Sequence, residues 1–447
     1  MLSVNIFMLL QMGLLSGWPL FFQRLVTMLG FMLLRFIFMT IQKVYWYFNG
    51  TTEKIRQSRR PELYNRCAHV LDIVIFNKFD YLQNCSIKDY ILAHNRFESP
   101  QYIFDNDHVS LITINEDNAI FGVAKKKGMH LWKFEYYTFM RLAQMFYCNQ
   151  LIVVPLNHFH RMAEELGDPK GQLIFLFNTA RCGSTLLTQM IQTTGRCISI
   201  SEPDSFNVLA LWYKSKGDTP ELRQLNKDVV RWTCRPYKDF TPEAQLLKIT
   251  SISAYALPKF KDIYPNSKYL FMYRDVVKVA QSMYRFTQEF PTIVMANTLG
   301  KLSAALTEKC VDAMGYSGKD FRYKFWDDLS LGVFLAIITS KTYMELRRNG
   351  FDVCAVRYED IIKDRHFAAK AILKFCGLSE SLENNFLKGL DFDSQRGSIV
   401  SREILARHKD PPLTPESRRL ANEALKKNGL PIIGDDWLLD GTITCKG

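Results

Sequence analysis

Residues 173–190, LIFLFNTARCGSTLLTQM, constrain the fold of this chain more than any other segment. An apolar run leads into a turn of small residues, and a run with helical spacing follows. Backbone N–H groups at such a turn point outward at the start of a helix, which is a geometry that binds anions. The segment predicts a strand, a phosphate-binding turn and a helix, and its alternative is a strand–turn–helix with an incidental glycine.

The turn departs from the nucleotide-binding G-x-x-x-x-G-K-[ST] loop at two positions. Asn178 stands at the first glycine position and Ser184 at the lysine position, whereas Gly183 and Thr185 fit the pattern. The cation lies at Arg181 instead, two residues before the glycine. These differences argue against an ordinary ATPase or kinase.

A second strand–helix boundary carries a related signal. The apolar segment 269–273 predicts a strand that ends at Arg274, and Ser282 falls one to two turns into the helix that follows. Ligands of open parallel sheets bind beyond the carboxyl ends of the strands. An arginine fork at that edge makes directed hydrogen bonds to phosphate oxygens.

A third strand is predicted over 351–356, and it leads into Tyr358-Glu359-Asp360 and a helix over 367–375. Together with Arg181-Cys182-Gly183-Ser184-Thr185 and the pair Arg274 and Ser282, this pattern resembles the sulfotransferases that use 3′-phosphoadenosine 5′-phosphosulfate (PAPS). The resemblance covers about residues 173–406. It is closer to the membrane-bound carbohydrate and tyrosyl enzymes than to the cytosolic ones.

The resemblance implies an α/β fold of the P-loop type, with a central parallel sheet and helices on both faces. It implies PAPS as co-substrate and no metal. Residues 181–185 would bind the 5′-phosphosulfate, and Arg274 with Ser282 would hold the 3′-phosphate. Arg396 and Gly397 are candidates for a further contact to the 3′-phosphate, with a solvated turn as the alternative.

An acceptor hydroxyl needs a catalytic base, because its own pKa lies far above 7. The cytosolic sulfotransferases use a histidine between the two phosphate motifs, and this chain has none between Arg161 and Arg365. This absence points to a carboxylate. The membrane-bound carbohydrate and tyrosyl sulfotransferases carry a glutamate near the position just past the predicted strand 198–201, so the resemblance implies Glu202 as the candidate base; its alternative role is to cap or brace a loop. Lys248 is a candidate for polarising the sulfate, or else a surface lysine at a strand end.

The N-terminus is apolar over two stretches. Residues 2–22 carry no charge and are long enough to cross a bilayer core, which takes about 20 residues. The second stretch, 25–41, contains Arg35 and precedes the aromatic cluster 45–48, a composition that suits the membrane interface. These features predict an uncleaved anchor, either a single span or a span followed by an interfacial helix.

Two signals for orientation conflict. The basic residues after the first apolar stretch would lie in the cytosol by the positive-inside rule. The membrane-anchored sulfotransferases that this chain resembles face the Golgi lumen, and the glycosylation sequons at Asn49 and Asn84 suit a lumenal glycoprotein. We predict a single-pass protein of a Golgi-type membrane with a lumenal catalytic domain.

The chain divides into four predicted segments: a membrane anchor (1–48), a linker (49–62), an α+β region of unrecognised type (63–168) and a sulfotransferase domain (169–447). The α+β region is predicted to contain a β-hairpin of 109–114 and 119–124, a helix over 131–148 and a strand over 151–155. A C-terminal helix is predicted over 415–427.

Composition adds limits on partners. The net charge of +12 suits phosphate ligands, anionic glycans or an anionic membrane, and no nucleic-acid motif occurs. The ten cysteines include no C-x-x-C pair, and His158 and His160 lack companion ligands, so no metal site is predicted.

The predicted function is sulfuryl transfer from PAPS to a hydroxyl or amine, with a glycan or another acceptor of the secretory pathway favoured. A tyrosyl peptide and a lipid-like alcohol stay open as acceptors. The alternatives are an ATP-dependent P-loop kinase and a catalytically silent nucleotide-binding membrane protein.

Overall fold

The structure, a computed structural model, describes residues 18–238, 240–313 and 324–444. The strands are β1 (Ala68–Phe76), β2 (Tyr90–Glu98), β3 (Val109–Ile114), β4 (Asn118–Ala124), β5 (Cys148–Pro155), β6 (Gln172–Asn178), β7 (Cys197–Ser201), β8 (Ala244–Lys248), β9 (Lys268–Tyr273) and β10 (Val353–Arg357). The helices are α1 (Trp18–Phe48), α2 (Thr51–Gln57), α3 (Gln101–Asp105), α4 (Met140–Tyr147), α5 (Leu156–Leu166), α6 (Ser184–Thr193), α7 (Asp204–Lys216), α8 (Pro220–Thr233), α9 (Leu257–Ile263), α10 (Val276–Thr287), α11 (Pro291–Gly300), α12 (Ala304–Ala313), α13 (Ser330–Arg348), α14 (Tyr358–Lys363), α15 (Arg365–Cys376), α16 (Glu383–Leu387), α17 (Arg402–Leu405) and α18 (Pro415–Lys427).

One sheet is parallel, in the order β10-β9-β6-β8-β7, so that β6 lies at its centre. Alternate residues of β6 pack into two different cores. Phe175 and Phe177 face the core shared with α9, α10 and α13, whereas Ile174 and Leu176 face the core shared with α6 and α15. Burial on both faces explains why this strand is continuously apolar in sequence. The predicted α/β fold, a parallel sheet with helices on both faces, is confirmed.

The other sheet is antiparallel, in the order β2-β1-β5-β4-β3, and it comes from the part of the chain that precedes the parallel sheet. Its residues join a hydrophobic core with those of the parallel half: the rings of Phe121 on β4 and Trp232 on α8 have centroids 5.1 Å apart. A buried polar contact also links the halves, because the Cys85 N–H donates to Asp204 Oδ2 at 2.8 Å. The two sheets therefore pack together through both apolar and polar contacts.

Helix α1 lies along the antiparallel sheet. Arg24, Arg35 and Gln42 donate hydrogen bonds to backbone carbonyls between residues 79 and 92, while most other side chains of α1 are exposed and apolar. Within the described residues, the helix that is long and apolar enough to cross a membrane is the segment Phe21–Phe48. Most of the predicted first span, 2–22, lies outside the described residues.

Several predicted elements agree with the structure. The hairpin is confirmed as β3 paired antiparallel with β4, the strand 151–155 falls within β5, and the C-terminal helix is α18. Short helix α2 occupies part of the segment predicted as a linker.

The helix predicted over 131–148 is wrong in its first half, because only α4 is helical there. The side chain of Gln192 receives a hydrogen bond from the Phe134 N–H at 3.0 Å and donates one to the Trp132 carbonyl at 3.2 Å. These bonds satisfy backbone groups that a helix would have used internally. The apolar spacing of this segment thus reflects aromatic side chains that pack against the protein from an irregular backbone.

Candidate active site

A large cavity lies at the carboxyl ends of the parallel strands. Its volume is about 1270 Å³, and it is lined by residues that directly follow or end these strands, among them Glu202 after β7, Lys248 at the end of β8, and Arg274 after β9. Parallel strands bring their carboxyl ends to one edge of the sheet, which is where open α/β sheets bind ligands. Residues that are far apart in sequence therefore meet at this edge.

The turn between β6 and α6 has an unusual backbone. Ala180, Arg181 and Gly183 have φ values of 58°, 48° and 89°. The Asn178 side chain stabilises the turn by accepting a hydrogen bond from the Ala180 N–H at 2.9 Å. Non-glycine residues in this conformation store strain, and such strain concentrates at functional sites. The turn ends at Ser184, where α6 begins, and the first N–H groups of a helix have no partner within the helix, which suits them to an anion.

Arg181 contacts Ser282 directly, although the resemblance in sequence assigned the two residues to different ends of one donor, the 5′-phosphosulfate and the 3′-phosphate. Its Nε donates to Ser282 Oγ at 3.2 Å, and its Nη2 donates to Gln395 Oε1 at 3.2 Å. The guanidinium lies over the Phe286 ring, 5.2 Å from the centroid. Burial, and then the nearby charge of Arg285, lower the pKa of Arg181 to about 10. A buried cation beside a second cation is stabilised by an anionic ligand.

The absence of a side chain at Gly183 allows Tyr358 to approach the turn closely. A Cβ at this position would lie 2.6 Å from Cδ2 of Tyr358, the first residue of α14. The Tyr358 ring in turn stacks beneath Arg274, whose Cζ lies 4.6 Å from the ring centroid. The glycine is required both for its positive φ and for this contact, which sets the position of the Arg274 side chain.

Arg274 lies two residues before α10, and Ser282 lies within this helix. The Asp275 side chain accepts a hydrogen bond from the Lys278 N–H at 3.0 Å and so caps the helix. Glu359 Oε1 lies 3.8 Å from Arg274 Nε and accepts a hydrogen bond from the Asp275 N–H at 3.2 Å. Arg181, Arg274 and Ser282 all line the same cavity.

Glu202 and Lys248 form an ion pair on another side of the cavity. Lys248 Nζ donates to Glu202 Oε1 at 2.6 Å and to Thr185 Oγ1 at 3.2 Å, and the lysine side chain is only 2% exposed. Glu202 has a φ of 55°, a further strained backbone position at the site. The pair joins the ends of β7 and β8 to the first turn of α6. Lys248 is thus buried, in contrast to the surface lysine that was its alternative.

Three predicted residues differ from the others in placement. Cys182 points away from the cavity into the core, where its Sγ donates to the Met272 carbonyl at 3.1 Å, so only its backbone faces the turn. Arg396 and Gly397 are exposed and do not line the cavity, whereas Gln395 beside them contacts Arg181. The structure therefore brings the residues before Arg396 to the site, but not Arg396 itself.

Sequence reasoning missed several cavity residues. Arg285 lies one turn beyond Ser282 on α10, a helical spacing that could have been used to find it. Phe139 and Leu142 come from the antiparallel half, and Gln395 comes from a loop; no local pattern marks them. Among the residues that the structure describes, no group of three or more His, Cys, Asp and Glu is arranged to hold a metal ion.

The parallel sheet, the glycine turn before α6 and the cavity at the strand ends define an α/β protein of the P-loop type. A family model described as the sulfotransferase domain matches residues 172–419, which is more than half of the chain. The chain therefore belongs to the sulfotransferase family, as its motifs indicated. This family transfers sulfuryl groups and uses PAPS as the donor.

Several solved structures are also similar to the chain. The sulfotransferase domain from the curacin biosynthetic pathway is 14% identical and has a TM-score of 0.33, with 57% of this chain and 98% of that chain covered. A sulfotransferase from Mycobacterium avium is 11% identical with a TM-score of 0.37, covering 63% and 81%. A retinol dehydratase in complex with androsterone and inactive cofactor PAP is 14% identical with a TM-score of 0.31, covering 64% and 89%. A search of curated proteins gave no match.

Proposed function

We propose that the chain transfers a sulfuryl group from PAPS to a hydroxyl or amine acceptor. The observation that carries this proposal is that Arg181, Arg274 and Ser282 line one cavity beside the N-terminus of α6. Two guanidiniums at one edge of a sheet suit a ligand with two phosphate-type groups. The volume of about 1270 Å³ exceeds the roughly 300–1,000 Å³ of ordinary small-molecule sites, which leaves room for donor and acceptor together.

In this proposal the strained turn and Arg181 bind the 5′-phosphosulfate, and Arg274 with Ser282 holds the 3′-phosphate. Transfer forms a bond from the acceptor oxygen to sulfur and breaks the bond from sulfur to the phosphate oxygen, leaving adenosine 3′,5′-bisphosphate (PAP). Arg181 and the N–H groups of 183–185 meet the charge that develops on the leaving phosphate, an effect that is typically a large share of catalysis.

Glu202 takes the proton of the acceptor hydroxyl in this scheme. Its ion pair with Lys248 fixes the carboxylate at the cavity wall, and the lysine supplies positive charge beside Thr185. An orientation fixed before the acceptor binds lowers the cost of reaching the reactive geometry. Lys248 is proposed to stabilise the sulfuryl group in the transition state of the transfer. This role requires the positive charge of the lysine near the first turn of α6.

The remaining predictions form part of the same proposal. Residues 169–447 carry the transfer chemistry, and residues 1–48 associate the protein with a membrane, favoured by one long apolar helix. The closer likeness to membrane-bound sulfotransferases, the Golgi location and the lumenal, glycosylated orientation rest on the motifs and sequons alone. A glycan acceptor rests on that likeness too.

Thermal unfolding with added nucleotide tests the donor. PAP at about 100 times its Kd should stabilise the full chain by about 2.7 kcal/mol. ATP with Mg²⁺ should give a much smaller shift, because the site lacks the P-loop lysine. Stabilisation by ATP with Mg²⁺ alone would favour a kinase, and no response to either nucleotide would favour a silent scaffold. Labelled-sulfate transfer from PAPS to pools of acceptors then tests catalysis.

A further inference from the structure

The face of α1 that touches the protein follows a regular spacing. Its contacts come from residues three, four or seven positions apart along the helix: Arg24, Met28, Phe31, Arg35, Gln42 and Trp46. Residues at such intervals lie on one side of a helix. Two cations and a glutamine are included, and each donates to a backbone carbonyl of the antiparallel half, at 3.1, 3.0 and 2.8 Å. These three polar side chains therefore dock the helix to the protein.

The opposite side of α1 is apolar and exposed. Val26, Leu33 and Ile41 are 69%, 63% and 66% exposed, and the side continues through Tyr47 and Phe48. Monomeric soluble proteins rarely expose a contiguous apolar patch larger than a few hundred Å². This surface is about seven helical turns long. We therefore expect an apolar partner of similar length to cover it.

The contacts between α1 and the protein extend over the whole length that a membrane-spanning helix would need. From Arg24 to Trp46 the helix rises about 33 Å, which equals the roughly 30 Å thickness of a bilayer core. A span in this arrangement would carry the edge of the antiparallel sheet through the hydrocarbon, where backbone polar groups have no water to bond. A helix that is docked along its length and apolar on its outer side suits a position in the plane of the interface.

The same helix supports a wall of the cavity. Arg24 donates to the Phe79 carbonyl, and its Cζ lies 5.7 Å from the ring centroid of Tyr81, which lines the cavity together with Leu82. Helix α11 also packs against α1, and its Ile293 and Ala296 line the cavity. Thr292 of α11 donates to Asp80, which ties these two parts of the wall together. One layer of protein thus separates α1 from the apolar part of the cavity.

We propose that α1 lies flat on an anionic lipid bilayer and holds this apolar wall against it, so that the acceptor is an alcohol resident in the membrane. The acceptor assignment rests on the proposed sulfuryl transfer; the membrane surface does not. An alcohol with an apolar body would contact Leu82 and Ile293 while its hydroxyl reaches Glu202, since all three line one cavity. A pocket lined by apolar side chains with a few polar groups at one end selects such a molecule.

Charge supports an anionic bilayer as the partner. Lys43, Lys54 and Arg60 are exposed near the C-terminal end of α1, beside the aromatic residues Tyr45 and Tyr47. Each basic residue close to an anionic surface adds attraction, and aromatic side chains favour the headgroup level. The chain as a whole carries a net charge of +12. Anionic lipids are concentrated in the cytoplasmic leaflet, so this surface favours the cytosolic orientation of the positive-inside rule over the lumenal orientation that rests on the sequons.

Flotation of the full chain with vesicles tests the surface. The variant Val26→Gln/Leu33→Gln/Ile41→Gln changes only the outer side of α1, and Tyr255→Gln/Leu302→Gln/Leu438→Gln is a matched control of exposed apolar residues elsewhere. With phosphatidylcholine vesicles that contain phosphatidylserine, we expect the wild type and the control to float and the α1 variant to bind at least about tenfold less. Equal flotation of the α1 variant, or no flotation of the wild type, would overturn the proposal.

Depth measurements distinguish a flat helix from a span. Nitroxide labels on single cysteines introduced at Val26, Leu33 and Ile41 should report one shallow depth, about 5–10 Å into the bilayer. A depth that is greatest at Leu33 and decreases towards both ends would instead show a span, and the flat arrangement would be wrong.

Transfer assays test the acceptor. With labelled PAPS, we expect at least about tenfold more sulfate on a long-chain alcohol in vesicles than on a soluble sugar, and loss of this preference in the α1 variant. If PAP stabilises the protein and only the sugar is sulfated, the acceptor assignment is overturned while the proposed function stands. If PAP has no effect and no acceptor is sulfated, the proposed function fails and the acceptor assignment fails with it; flotation still decides the membrane surface.

Discussion

The two sheets contribute to the cavity in different ways. The parallel sheet supplies its charged residues, Glu202, Lys248 and Arg274, from positions at or just after strand ends. The antiparallel half supplies the apolar and aromatic side chains of Tyr81, Leu82, Phe139 and Leu142, together with the polar Gln83, Asn84 and Arg141, from a loop and from the start of α4. The first set is fixed by topology, since parallel strands must end at one edge, whereas the second depends on how two halves of the chain pack. We therefore expect the first set to control donor binding and chemistry, and the second to control the acceptor.

The largest expected effect is that of Arg181→Ala. Loss of a cation that meets the developing charge should lower kcat/KM by about 10³-fold. The exposed Arg348→Ala is the control for a lost arginine and should leave kcat/KM unchanged. Leu142→Ala, from the antiparallel wall, should raise KM for the acceptor without changing the affinity for PAP. If Leu142→Ala weakened PAP binding as much as Arg181→Ala, the division between the two halves would be wrong.

The second prediction concerns Glu202 within the parallel set. Glu202→Gln keeps the shape and removes the base, so kcat should fall by about 10²-fold while PAP binding stays near that of the wild type. Steady-state kinetics with calorimetric titration of PAP measure the two effects separately. If kcat were unchanged, Glu202 would only brace Lys248, and the ion pair at 2.6 Å would be structural.

The third prediction tests the antiparallel half through pH. His69 is buried against His94, with Nε2 and Nδ1 2.8 Å apart, beneath Trp46 of α1. Burial, and then the nearby His94, lower the pKa of His69 from 6.5 to about 3. The unfolded chain therefore binds the proton first as pH falls below about 6.5, and the folded state loses stability from there towards pH 3.

At pH 5 this loss should reach about 2 kcal/mol relative to pH 8, an order-of-magnitude value. Denaturant unfolding of the wild type and of His69→Phe across this range measures it. The free energy of unfolding of the variant should decrease less at low pH, because the contribution of His69 is gone. Some decrease should remain, because other buried histidines keep their own contributions. Parallel curves for the two proteins would mean that His69 does not titrate as its environment indicates.

Part of this structure could be predicted from local sequence, and part could not. The strand at 173–177, the turn and the placement of Arg274 and Ser282 follow from short motifs, because strand ends in a parallel sheet meet by necessity. The apolar spacing of 131–139 predicted a helix that is absent, since long-range bonds from Gln192 satisfy that backbone. Arg396 was predicted at the site, but the turn presents Gln395 instead. A shift of one residue in a loop has no signature in sequence.

The smallest effect compares two glycines at the ends of α6. Gly183 and Gly195 have φ values of 89° and 70°, so alanine strains the backbone at both, by about 1 kcal/mol. Only at Gly183 does the added Cβ meet a neighbour, 2.6 Å from Tyr358 Cδ2, whereas nothing lies within 4 Å at Gly195. Gly183→Ala should therefore displace the ring that supports Arg274 and weaken PAP binding by about tenfold, or about 1.4 kcal/mol.

Gly195→Ala should cost a similar amount of stability and leave PAP binding unchanged, which thermal unfolding and calorimetric titration can separate. The comparison isolates the contact with Tyr358 from backbone strain, because both variants carry the strain and only one carries the clash. Equal affinity of the two variants for PAP would show that the position of Arg274 does not depend on Tyr358. The donor site would then tolerate movement of the residue that follows β10. The positions of the residues at the strand ends of the parallel sheet would then matter less for donor binding than we propose.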